Sequence, residues 1–293
     1  GIAGRPETAG SFRQFGPRWA AMNAPPVELR AAALAALCCC EPSRKAALAQ
    51  ALRAIACVRP ALGLAPPDVP GRPDRPLLVP PQKVARRRAG SASGRAALLH
   101  AIAHIEFNAI NLALDAVVRF PRLPPDFYSD WARVAAEEAQ HFLLLTRHLA
   151  SLGHTYGDFT AHDGLWEAAR KTADDPLARM GLVPRVLEAR GLDVTPGMQA
   201  RLREAGDSAA ADILAVILRD EIGHVALGNR WYHWLCARRG LDPVATFPRL
   251  CLEYGQSLPR PPFNLPARIA GGFSAEELAT FGESAAPRGS RAS

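Results

Sequence analysis

Two short segments of the chain carry residues able to grip metal ions. They read Glu137-Glu138-Ala139-Gln140-His141 and Asp220-Glu221-Ile222-Gly223-His224. Each is an acid followed by Glu-x-x-His. Three residues along an α-helix turn about 300°, so the Glu and His of each pair share a face about one turn apart. Each pair can hold one ion from a single helix. A lone Glu-x-x-His occurs on many solvated helices, so the weight rests on its partners. Glu106 precedes Glu138 by 32 residues, and Glu188 precedes Glu221 by 33. From the first half to the second, the three positions are offset by 82, 83 and 83 residues. A duplicated helix pair, each half giving one lone Glu and one Glu-x-x-His, produces that register. The candidate metal ligands are therefore Glu106, Glu138, His141, Glu188, Glu221 and His224.

The neighbours of these acids are apolar. Ile102, Ala103, Ala109 and Ile110 surround Glu106 at helical spacing, and Ile217, Leu218 and Val225 surround Glu221. A lone ionised glutamate on such a face costs several kcal/mol. Metal binding removes that cost, because four carboxylates balance two divalent ions. Oxygen-rich ligands with one imidazole per ion suit iron or manganese, whereas structural zinc favours Cys and His.

Helices must present these residues, and the composition favours them. Ala, Leu and Arg dominate while Val, Ile and Tyr are sparse, so the expected fold class is all-α. Residues 1–25 read as a flexible N-terminus, and Met22 heads a stretch that reads as a natural start. Residues 26–92 read as an N-terminal helical pair split at Pro42, with Ser43 as second N-cap, and a proline-rich strap from 58. The strap ends in the basic run Lys83-Val-Ala-Arg-Arg-Arg88. Residues 93–240 read as a four-helix bundle, beginning at a Ser93 cap. Its third helix, from about Pro176, carries Pro184 and Gly191, which predict a kink or break, with a restart at Thr195-Pro196. Asp207 is the expected cap of the longest helix. Residues 241–293 read as a C-terminal extension in which Ser274-Ala-Glu-Glu277 forms a capping box before a disordered end.

The ligand pattern resembles the ferritin-like di-iron superfamily, whose bundles use this ligand set. The string Ala103-His-Ile-Glu-Phe-Asn-Ala-Ile-Asn-Leu-Ala-Leu-Asp115, followed by Arg119-Phe120, resembles a bacterial ferritin-like family known only as a domain of unknown function. The resemblance runs from about residue 28 to 255. It implies a ferritin-like four-helix bundle and two iron ions, with manganese the alternative. It also implies a supporting role for the acid before each Glu-x-x-His: Asp220 would orient His141 and Glu137 would orient His224. The implied activity is a di-iron oxidoreductase that activates dioxygen or peroxide, such as a hydroxylase. The competing readings are an iron-oxidising or iron-binding protein and a non-catalytic scaffold stabilised by metal. An electron-donor reductase and a small-molecule or RNA substrate are the implied partners. RNA enters because the bacterial tRNA hydroxylase has a similar fold.

The remaining features are weaker. Formal charge is +7, and setting aside four metal-bound glutamates leaves about +11, which suits an acidic partner. The alternative is an arginine-rich surface of no special function. Cys38, Cys39, Cys40, Cys57, Cys236 and Cys251 form no CxxC pair and read as small apolar fillers of a reducing cytoplasm. No uninterrupted apolar run reaches the ~18 residues of a membrane span, and no signal peptide is recognised, so a cytoplasmic protein without a membrane partner is expected. His100 and His104 are one turn apart, but His104 lies about 200° around the helix from Glu106, so packing or hydrogen bonding is their expected role. Trp231, Tyr232 and Trp234 read as helix packing, with base stacking as the alternative.

Overall fold

The structure is a computed structural model that describes residues 26–84 and 90–283. The flexible N-terminus, the arginines of the basic run and the disordered end expected from sequence fall outside these residues. Every regular element among the described residues is helical, and β-structure is limited to two isolated bridges, Glu28 with Cys57 and Leu78 with Ala161. Two short helices, α1 (Leu29–Cys38) and α2 (Pro42–Ala51), precede the strap. The long helices α3 (Ala92–Arg119) and α4 (Pro125–Ser151) follow, then the short α5 (Gly164–Lys171). A third rod is made of α6 (Pro176–Leu182), a π-helical turn (Val183–Glu188) and α7 (Ala189–Glu204). The longest helix is α8 (Ser208–Arg238), and α9 (Pro243–Glu253), α10 (Leu265–Ala270) and α11 (Ala275–Glu283) complete the chain.

The rods pack side by side: α3 on α4, α4 on α8, and the third rod on α8, with α1 and α2 laid over α3 and α4. Antiparallel α4 and α8 are fastened at both ends. Asp130 accepts from the Trp231 indole at 2.9 Å, and His148 lies 3.0 Å from Asp207. Asp207 also caps α8 through the Ala210 amide. Ser274 and Glu277 bond reciprocally, at 2.9 and 3.1 Å, as the capping box at α11. Two caps differ from expectation. Ser91, not Ser93, accepts from Gly94 at the start of α3, and Glu41, not Ser43, caps α2 with Pro42 in its first turn.

The third rod does not break. Pro184 has no N–H, and its ring crowds the carbonyl four residues back, so the backbone widens into a π turn instead of ending. Pro196 similarly deprives the Leu192 carbonyl of its helical donor, and the Asn264 side chain supplies a replacement at 3.1 Å. Gly191, Thr195 and Pro196 therefore lie inside α7 rather than at a restart.

The helix α3 is long and apolar enough to cross a membrane by length and composition, but 89% of its apolar window is buried within the fold. Four of the arginines are not on the surface at all. Arg30, Arg179, Arg185 and Arg268 are at most 1% exposed. They are held by internal partners: Arg30 bonds the carbonyls of Val117 and Val118, Arg179 bonds Asp115 at 2.6 Å, and Arg268 bonds Asp193 at 2.7 Å. Cys236 and Cys251 are buried fillers, whereas Cys38 and Cys40 are exposed; all six are unpaired.

Candidate metal centre

The middle of each rod contributes to one buried cluster. Glu106 comes from α3, Glu138 and His141 from α4, Glu188 from the end of the π turn, and Glu221 and His224 from α8. Glu138 and His141 have no exposed surface. One donor atom each from Glu106, Glu138, His141 and Glu221 lie within 4.8 Å of one another. His141 Nδ1 is 3.2 Å from Glu106 Oε2 and 3.1 Å from Glu138 Oε2. His224 Nδ1 is 3.0 Å from Glu138 Oε1 and 3.7 Å from Glu221 Oε1. Glu188 joins without a hydrogen bond; its Oε2 is enclosed and has no partner.

Each imidazole shows its other nitrogen to a carboxylate on the opposite helix. His141 Nε2 is 3.1 Å from Asp220 Oδ2, and His224 Nε2 is 2.9 Å from Glu137 Oε2. These contacts fix ring orientation and leave both Nδ1 atoms turned inward. The carboxylates are themselves held from outside. Arg53 donates to Glu137 at 2.8 Å, and Arg219 to Asp220 at 2.8 Å. Arg219 could be suspected from its place beside Asp220. Arg53 could not, because it belongs to the N-terminal helical region, and only the packing of that region on α4 brings it to Glu137.

The electrostatics describe a site that holds protons when it lacks cations. Burial pushes the carboxyls of Glu106, Glu188 and Glu221 upward, and neighbouring glutamates push them the same way. Burial would raise Glu138 as well, but His224 and His141 outweigh it and hold that carboxyl well below its usual range. Burial disfavours the charged imidazoles, yet the glutamates win: His141 is pushed up to about 11 and His224 also rises. Atoms aimed at the interior remain unpaired, among them Glu138 Oε1, Glu188 Oε2, Glu221 Oε2 and His224 Nδ1. His224 Nδ1 and Glu138 Oε1 are close but not aligned for a hydrogen bond. Unsatisfied acceptors around a buried centre cost energy unless something positive fills it, so the donor set fits metal ions.

One feature of this wall had only a weak signal in the sequence. A methyl group on Gly228 of α8 would lie 2.2 Å from Pro184 Cβ and 2.5 Å from its Cγ. Glycine here lets α8 touch the π turn that ends in Glu188. A glycine inside a long helix, where it lowers helix stability, was the available clue.

His100 and His104 stand outside the cluster and serve in hydrogen bonds, His100 accepting from the Gly157 amide at 2.9 Å. Trp231 and Tyr232 are buried.

The fold and cluster together define an all-helical protein with a buried set of glutamates and histidines drawn from four helical rods. The chain belongs to a family described as "Protein of unknown function (DUF455)", which matches residues 38–279. It is 53% identical over 213 residues to an "Uncharacterized protein" of Haemophilus influenzae, covering 70% of this chain and 74% of that protein. No solved structure matches it.

Proposed function

We propose that the cluster holds two metal ions in a ferritin-like four-helix bundle, and that the protein is a di-iron oxidoreductase acting with dioxygen or peroxide. The observation that carries this reading is the doubled arrangement of the ligands. Each Glu-x-x-His turns its Nδ1 inward and anchors its Nε2 to a carboxylate of the facing helix. On this reading Glu106, Glu138 and His141 would hold one ion, and Glu188, Glu221 and His224 the other. Two iron ions would supply two electrons to an oxidant. Asp220 and Glu137 keep each imidazole in the tautomer that leaves Nδ1 free to ligate. The buried ligands sit within a continuous apolar core, which excludes water. Iron is preferred over manganese by the ferritin-like resemblance, and the ligand types suit both.

The test is to load the whole protein with ferrous iron without oxygen, measure iron per chain, then admit oxygen and follow optical bands and particle size. About two ions per chain, with repeated oxidation when a reductant is supplied, is the expected result. Fewer than two ions refutes the dinuclear site. Growth of a mineral-filled shell would make the protein an iron store, and a redox-inert pair would make the metals structural.

A further inference from the structure

A buried cation without a counter-ion lies close to a small cavity that none of the six candidate ligands lines. Lys45 of α2 has no exposed surface. Its ammonium donates to the Leu37 carbonyl at 2.8 Å and to Asn111 Oδ1 at 2.5 Å, and it stands 5.4 Å from the Phe107 ring centre. These acceptors are neutral, and among the described residues no carboxylate pairs with it. Burial therefore pulls the ammonium down to about 8, against weaker support from the thiols of Cys38 to Cys40.

Lys45 also decides how Asn111 is oriented. The ammonium takes the amide oxygen, so the amide nitrogen is turned away from it. Asn111 is 1% exposed, and its Nδ2 has no hydrogen-bond partner. Asn111 lines a small, partly open cavity of about 10 Å³, room for one water-sized particle, between the polar Arg72, His104, Asn108 and Tyr156 and an apolar side that includes Phe107 and Leu78. The Nε2 of His104 lies 3.1 Å from the His162 carbonyl and 3.0 Å from Asn108 Nδ2. Its Nδ1 lies 2.8 Å from the Tyr156 hydroxyl, so both ring nitrogens already have partners. Asn111 brings an unused N–H donor to this cavity, Lys45 stands behind Asn111, Arg72 is the cation in the lining, and no carboxylate lines it. Arg72 is already matched by Asp163 at 3.1 Å, so the uncompensated charge is that of Lys45.

We propose that this cavity binds one small monovalent anion of halide size, which accepts from Asn111 Nδ2 and serves as the counter-ion of Lys45. A water would satisfy the amide but leave the buried ammonium without opposite charge. The probes are bromide and chloride. Crystals grown in bromide are expected to show one anomalous peak within hydrogen-bond reach of Asn111 Nδ2. Melting in chloride, against gluconate of equal ionic strength, is expected to rise by roughly 2–4 °C at ten times the dissociation constant. Asn111→Leu, with its helical circular dichroism retained, should lose the chloride response. If that variant fails to fold, the wild-type bromide map and melting series decide alone. No anomalous peak, with equal melting in both salts, overturns the proposal in favour of water. A peak without a melting response marks an adventitious ion and overturns it too.

Discussion

Adding a single methyl group at Gly228 tests whether the π turn positions Glu188. A Cβ there would stand 2.2 Å from Pro184 Cβ and 2.5 Å from its Cγ. Carbon atoms in contact keep about 3.5–4.0 Å, so one wall must retreat by on the order of 1.5 Å. The proline ring is rigid, and Pro184 lies four residues before Glu188 in the same turn, so the retreat is passed to that carboxylate. Metal bonds tolerate errors of about 0.2 Å, so a displacement of this size removes Glu188 from bonding distance. Overpacking should also cost about 1–3 kcal/mol in stability. Gly223→Ala supplies the control within the same helix, because nothing lies within 4 Å of a Cβ added at Gly223. That change should instead stabilise the helix by up to about 1 kcal/mol. Metal analysis and thermal melting of both variants are the assay. Gly228→Ala is expected to retain about one ion per chain, bound by Glu106, Glu138 and His141, and to melt lower. Two ions bound with wild-type affinity in Gly228→Ala would refute the claim that the Pro184 contact sets the position of Glu188.

The other predictions concern single residues. His141→Ala should drop metal content to about one ion per chain and abolish oxygen-dependent oxidation; unchanged content by elemental analysis would remove His141 from the ligand set. Asp220→Asn should keep the helical spectrum but weaken metal binding by about 10–100-fold, less than His141→Ala, because the amide lacks the charge that supports the imidazole; equal affinity by competition titration would refute that role. Burial opposes ionisation of Glu277, but His233, Arg185 and the Ser274 amide outweigh it and hold the carboxyl down to about 2. A depressed acid stabilises the fold above its ordinary 4.5 and loses that contribution as pH falls through about 2, here about 3 kcal/mol; Glu277→Gln should therefore flatten the acid limb of the melting curve between those values, and an unchanged limb would refute it.

Much of the site was legible because helical periodicity is local. The Glu-x-x-His pairs need only one turn of backbone, and the apolar residues around Glu106 and Glu221 announce burial without any knowledge of tertiary structure. The caps at Asp207 and Ser274 were legible for the same reason. What the sequence hid depends on other segments. Pro184 and Pro196 read as helix breakers, yet the first is absorbed by a π turn packed on Gly228 and the second by an amide from Asn264. Neither compensation has a local signature, because Gly228 and Asn264 are remote in sequence. The buried arginines escaped notice in the same way. Composition counts Arg185 as surface charge, whereas Asn229, Glu277 and the rings of Tyr232, Phe247 and Phe273 enclose it.

The register of the two halves shows why sequence spacing worked despite these irregularities. Glu138 lies thirteen residues after the first residue of α4, Pro125, and Glu221 thirteen after the first residue of α8, Ser208. At 1.5 Å per residue both sit about 20 Å along their helices. The preceding helices are less alike: α7 runs further beyond Glu188 than α3 runs beyond Glu106, and the turn after it is shorter. Helix and turn offset each other to within one residue, so the separations of 32 and 33 survive different local structures. A carboxylate must meet its partners at one depth in the core, and only the sum of helix and turn sets that depth. The sum was readable from the chain, whereas its division between helix, π turn and loop was settled by packing against α8.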